Sequence, residues 1–216
     1  MARPYREAAI VRRTLYSAIS AVCGCTACCL FAARLWAAEP VRFAVSQEHG
    51  VYQVSLETVL DAPPDAIHNI LTDYVHIYRL NPSITESEIL PAPDASVVRV
   101  RTLINDCVFI FCQDIVRVED IRELESGELY AQIVPQLSNV KSGAAIWQIR
   151  ADGDATRLTY DLTLEPGFFI PPLVGTYFVK NKLRQQIMTS LNNIERIAQV
   201  RRAKASGAGR RAQGQP

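Results

Sequence analysis

The chain has 216 residues, 49% of them hydrophobic, with 23 basic against 22 acidic side chains. That length bounds it to one domain plus extensions. The charge is unevenly spread: residues 38–200 hold 13 basic against 21 acidic residues, a net of −8. So acidic a body lacks the basic face that nucleic acid requires, and that class of partner is excluded.

The first segment stands apart from the domain. Arg3, Arg6, Arg12 and Arg13 precede an uncharged run over residues 14–33, and Arg34 with the small-residue end Trp36-Ala37-Ala38 follows. Charge, apolar core and small residues in that order are the plan of a secretory signal. Cleavage after Ala37 and a periplasmic location are expected. The 20-residue run is also long enough to cross a bilayer, so an uncleaved anchor through residues 14–33 stays open. Residues 1–37 are therefore read as signal or anchor, 38–50 as linker, 51–201 as the folded domain and 202–216 as a disordered basic tail.

Residues 51–60 alternate with period two, placing Tyr52, Val54, Leu56, Thr58 and Leu60 on one face of a half-buried strand. Asp61-Ala62-Pro63-Pro64-Asp65 stops it and suits a helix start, with proline in the first turn and an acid beside it. A helix over 65–74 and a second short one over 76–80 are expected, ending at Asn81-Pro82. Strands follow at 84–90, 96–104, 107–118, 129–134, 140–150 and 156–164, joined by short links that imply antiparallel hairpins. In the last, Leu158, Tyr160, Leu162 and Leu164 alternate with Arg157, Thr159, Asp161 and Thr163. A long amphipathic helix over 173–201 closes the chain. Leu183, Ile187, Leu191, Ile194 and Ala198 lie on its inner face, with Lys182, Arg184, Glu195 and Arg196 on the other.

The fold class is thus α+β: a seven-stranded curved antiparallel sheet around a long C-terminal helix, with two short helices after the first strand. One helix lying in the hollow of a twisted sheet leaves space beside it, and that space is a pocket.

In order and motifs the chain resembles the START-like (SRPBCC) superfamily with its helix-grip fold. Within it, the likeness is to bacterial polyketide cyclase/dehydrase and coenzyme-Q-binding START-like proteins. The features that carry it are Ala62-Pro63-Pro64-Asp65, Leu71-Thr72-Asp73-Tyr74, Asn81-Pro82, Gly143 to Trp147, Thr156-Arg157-Leu158-Thr159-Tyr160 and the run from Glu165 to Val174. The resemblance spans about residues 51–198. It implies a hydrophobic small molecule such as a lipid, isoprenoid quinone or polyketide as ligand, and it does not by itself select carriage over catalysis.

The candidate ligand-binding residues are Phe109, Phe111, Trp147, Tyr160, Leu162, Phe168, Phe169, Tyr177, Leu183 and Ile187. They are apolar or aromatic residues of the strands, of the loop before the last helix and of that helix, where they serve as core or as cavity wall. Lys141 and Arg184 could meet an anionic head group, although solvent exposure accounts for either alone. Residues 107–112, Cys-Val-Phe-Ile-Phe-Cys, read as a strand apolar on both faces, which leaves open a homodimer or membrane-surface contact. On one strand the two thiols would lie ~17 Å apart on opposite faces, so both are expected unpaired.

No catalytic, metal or cofactor constellation stands out. His49, His68 and His76 lie off the predicted strands, and neither a phosphate loop nor a zinc-protease motif is present. No cofactor and no metal are expected. Asp114 is the acid to test for hidden acid–base chemistry. Hydrophobic-ligand carriage is the leading reading, with a cyclase/dehydratase-type enzyme or a protein-interaction module as alternatives.

Overall fold

The computed structural model describes residues 40–108, 111–167 and 175–212, which belong to one unit over Ala38–Pro216. Its strands are β1 Pro40–Glu48, β2 Val51–Leu60, β3 Ile84–Leu90, β4 Val98–Val108, β5 Phe111–Glu123, β6 Leu129–Ile133, β7 Val140–Asp152 and β8 Ala155–Pro166. Helix α1 (Pro64–Leu71) and a 3-10 segment (Tyr74–Arg79) follow β2, and α2 (Gly175–Ala212) ends the described chain. The strands form one antiparallel sheet in the order β1-β2-β8-β7-β6-β5-β4-β3.

The architecture is the expected α+β helix grip, with an eighth strand. Residues assigned to the linker form β1, which pairs with β2 through a two-residue turn at His49-Gly50. Both turn residues have positive φ, 50° and 86°. That backbone is the two-residue hairpin turn whose twist matches its flanking strands. The long helix also continues past the expected boundary, so residues 202–212 are helical rather than tail.

Alternation in β2 and β8 decides which face is covered. Leu56, Leu60 and Leu158 are fully buried and pack with Ile67 and Ile70 of α1 and with Leu191, Ile194 and Ala198 of α2. Each such side chain contributes about 1.5–3 kcal/mol of hydrophobic stabilisation. Glu195 departs from the expected polar face: it is buried and accepts the Asp61 backbone N–H at 3.0 Å. A helix side chain thereby satisfies a donor left over where β2 ends.

At the far end of β8, Gly167 lies directly against the backbone carbonyl of Asn139, which leaves no room for a β-carbon. Close approach of two backbones is the reason for glycine there.

The two cysteines correct the sequence reading. Residues 107–118 are not one strand: Asn105 and Asp106 lie within β4, the chain reverses after Val108, and Cys107 faces Cys112 across the β4–β5 hairpin. Their Cα atoms are 3.9 Å apart and the sulfurs form a disulfide. The ~17 Å separation holds only for an unbroken strand. The bond closes a short loop that the hairpin already restrains. Reduction should therefore lower stability by no more than about 2 kcal/mol, read as a shifted urea midpoint with unchanged slope.

Candidate ligand-binding site

Between the concave face of the sheet and α2 lies a cavity of about 300 Å³. Alternation puts Leu158, Tyr160, Leu162 and Leu164 of β8 on its floor, while Leu183 and Ile187 of α2 roof it. Trp147 of β7 stacks on Tyr160, ring centroids 5.0 Å apart, because the two are direct cross-strand partners. Tyr74 and Ile77 of the 3-10 segment, with Leu80 just after it, close one side.

Of the expected site residues, the fold therefore brings Trp147, Tyr160, Leu162, Leu183 and Ile187 to one cavity. Tyr177 does not join them: it is 71% exposed at the first turn of α2. Phe109, Phe168 and Phe169 lie outside the described residues, as does the side chain of Phe111.

The polar candidates also separate. Lys141 is exposed and pairs with Glu165 at 3.2 Å. The Arg184 guanidinium sits 5.0 Å over the Phe43 ring, a cation–π contact that ties α2 to β1. Asp114 is exposed on the convex face and accepts from Asn105 at 2.6 Å, so it has no access to the cavity. Asp73 accepts from His76 at 2.6 Å and pairs with Arg201 at 3.3 Å, away from the cavity walls. The His76 hydrogen bond is the main reason its carboxyl titrates below the usual range.

Two polar stations inside the cavity went unforeseen. At the first, Asp106 of β4 pairs with Lys182 at 2.6 Å and accepts from Gln186 at 2.5 Å. Asn81 donates to the Gln186 carbonyl at 3.2 Å and to Ser190 at 3.4 Å, and its own oxygen accepts the Ser83 N–H. This network clasps α2 to the β3–β4 end of the sheet, and its groups are matched.

The second station is less complete. Arg117 and Glu119 project from β5 on the cavity face between Ile115 and Ile121. Arg117 Nε lies 3.1 Å from Glu119 Oε2, yet its N–H is not aimed well enough to make a hydrogen bond. Glu119 is only 7% exposed.

Burial pushes the phenols up. Tyr74 is raised to about 12, first by desolvation and then by the Glu123 carboxylate. Tyr160 is raised further by desolvation, with Arg117 and Glu119 acting in opposite directions. Both phenols are thus neutral at physiological pH. Because the folded chain holds them neutral above the ordinary value of 10.0, their stabilisation is complete below pH 10 and is lost as pH rises from 10 toward 12. Alkaline unfolding should begin in that window, and the tyrosinate absorbance should rise together with the loss of ellipticity.

Among the described residues no cluster of three or more His, Cys, Asp or Glu could hold a metal, and no helix is long and apolar enough to cross a membrane.

Residues 52–199 match the family described as polyketide cyclase / dehydrase and lipid transport. No curated protein matches the chain. Solved structures share the fold at low identity. The Zhui aromatase/cyclase from Streptomyces sp. R1128 is 16% identical with a TM-score of 0.58, over 73% of this chain and 98% of that one. A STAR-related lipid transfer protein from Xanthomonas axonopodis is 16% identical with a TM-score of 0.53, over 70% and 98%. A START superfamily protein from Mycobacterium smegmatis is 19% identical with a TM-score of 0.54, over 67% and 98%.

Proposed function

The chain belongs to the polyketide cyclase / dehydrase and lipid transport family, and we propose that within it this protein binds and carries a hydrophobic small molecule outside the cytoplasm. The observation that carries the reading is the cavity between sheet and α2, walled by Trp147, Leu162, Leu164, Leu183 and Ile187. Its ~300 Å³ is at the lower end of ligand sites. That size suits a single ring system or one short chain better than a two-chain lipid. A neutral lipid, a quinone or a polyketide fragment fits the same walls.

Two independent features support export. The first is the signal-like order of residues 1–37. The second is the Cys107–Cys112 disulfide, a bond that persists in oxidising compartments and is rare in reducing ones.

The catalytic reading rests on Glu119, the acid that the fold places in the cavity instead of Asp114. Carriage is favoured over it because the Arg117 guanidinium lies against Glu119 and the neighbouring phenol of Tyr160 stays protonated, so the carboxylate has no free base beside it to share acid–base work.

The deciding experiment is native mass spectrometry of protein purified from the periplasmic fraction without detergent. An apolar adduct of fixed mass, released by organic solvent, is expected. Recovery solely from the cytoplasm would end the export proposal. A chain that neither retains an adduct nor takes up an added apolar dye would end the carriage proposal.

A further inference from the structure

The charged groups of the cavity add a constraint on the ligand, and it rests on the carriage reading above. Asp106 is neutralised by Lys182, and Glu119 by Arg117. Among the described residues the cavity is therefore balanced in charge, with no spare cation to receive an anionic head group. An ionised carboxylate brought inside would lose its water without gaining a counter-charge, a costly transfer.

The two stations differ in completeness. Asp106 is met by Lys182, Gln186 and the Cys107 N–H. Arg117 Nε, by contrast, is buried 3.1 Å from Glu119 Oε2 without an aligned hydrogen bond. Buried polar groups are nearly always matched, so a deficit at a cavity wall points to a partner that arrives with the ligand. The guanidinium can donate to an acceptor and the carboxylate can accept from a donor.

We propose that the cavity selects neutral oxygenated ligands, in which a carbonyl accepts from Arg117 and an adjacent hydroxyl donates to Glu119 while the hydrocarbon lies along the apolar walls. The Tyr160 hydroxyl, on the same wall, supplies a further donor or acceptor. The pair is thus a polarity filter: it rejects ionised fatty acids by charge and bare hydrocarbons by leaving the Arg117 N–H unmatched.

The test compares three ten-carbon probes, 4-hydroxy-2-decanone, decanoate and decane, as competitors for Nile red bound to the full chain at pH 7.5. The hydroxyketone should displace the dye at about 10- to 100-fold lower concentration than the other two, the discrimination expected for one to two hydrogen bonds to charged groups. In an Arg117→Met/Glu119→Leu double variant that still binds Nile red, the preference should vanish. Decanoate equal to or better than the hydroxyketone in the wild type, or a preference that survives in the double variant, would overturn the proposal. The wild-type ranking is decisive even if the variant fails to fold. Dye binding with no ranking among the probes removes this inference alone, whereas no dye binding at all removes the carriage reading and this inference with it.

Discussion

Glu119→Ala should destabilise the fold by about 3 kcal/mol, while Arg117→Met/Glu119→Leu together should fall within about 1 kcal/mol of the wild type or exceed it. The asymmetry follows from where the pair sits. Removing the carboxylate leaves the guanidinium facing Ile115, Ile121 and Leu162 across a cavity with no other free anion among the described residues. Removing both deletes the desolvation cost along with the attraction, and the apolar replacements extend the existing wall. The single-variant cost belongs at the lower end of the usual range because the Arg117 side chain is 26% exposed, and water reaching it will screen the orphaned charge. Urea unfolding at pH 7 of the wild type, Glu119→Ala, Glu119→Leu, Arg117→Met and the double variant measures this directly. Additive single effects would mean that the two groups do not interact, and the cavity would lose its polar station. A double variant as unstable as Glu119→Ala would show that the pair stabilises the fold rather than equipping the cavity.

What the sequence could show, and what it could not, follows from the kind of information each feature carries. Period-two alternation is local, so β2 and β8 were legible together with the inward set Leu56, Leu158, Tyr160 and Leu162. The same holds for the three- and four-residue recurrence that put Leu183 and Ile187 on the inner face of α2. Strand β1 was missed although its clue was present. Val41 to Ser46 alternate, and His49-Gly50 is a two-residue link between two such runs, a hairpin signal when a non-glycine tolerates positive φ. The cysteines were misplaced because a six-residue apolar run reads equally as strand or as hairpin tip. Only the register of β4 against β5, a non-local fact, brings Cys107 opposite Cys112. Arg117 and Glu119 were missed for a related reason. Charged residues on a strand are normally read as its solvent side, and Val116 and Val118 made the opposite face of β5 look like the core. Val118 is indeed buried, but beneath the turn at residues 134–139, whose Ser138 hydroxyl accepts the Val118 N–H at 2.9 Å. A loop covering the convex face therefore inverted the apparent polarity of the strand. Glu195 is the same case on α2: its burial depends on a donor at Asp61, far away in sequence.

Filling the cavity should separate binding from folding more sharply than any change to its polar groups. Leu162→Trp enters from the sheet wall and Ile187→Trp from the helix wall, both lining the same ~300 Å³. An indole in so small a space takes the volume that a ligand would occupy, so either variant should weaken dye or ligand binding by about 100-fold or more, the loss of roughly 3 kcal/mol of contact. Stability should change by less than the 1–3 kcal/mol that overpacking costs in a filled core, because here the added ring replaces empty space. Tyr177→Ala provides the control: the side chain is exposed and outside the cavity walls, so its loss should leave both affinity and the urea midpoint unchanged. Unaltered binding in both tryptophan variants, with native circular dichroism, would move the ligand out of this cavity. A second candidate among the described residues would then be the shallow groove of about 510 Å³, where Ser46, Gln53, Asp161 and Thr163 contribute polar groups. So open a surface buries little of a hydrophobic passenger, which is why loss of binding from either wall of the more enclosed site is the expected result.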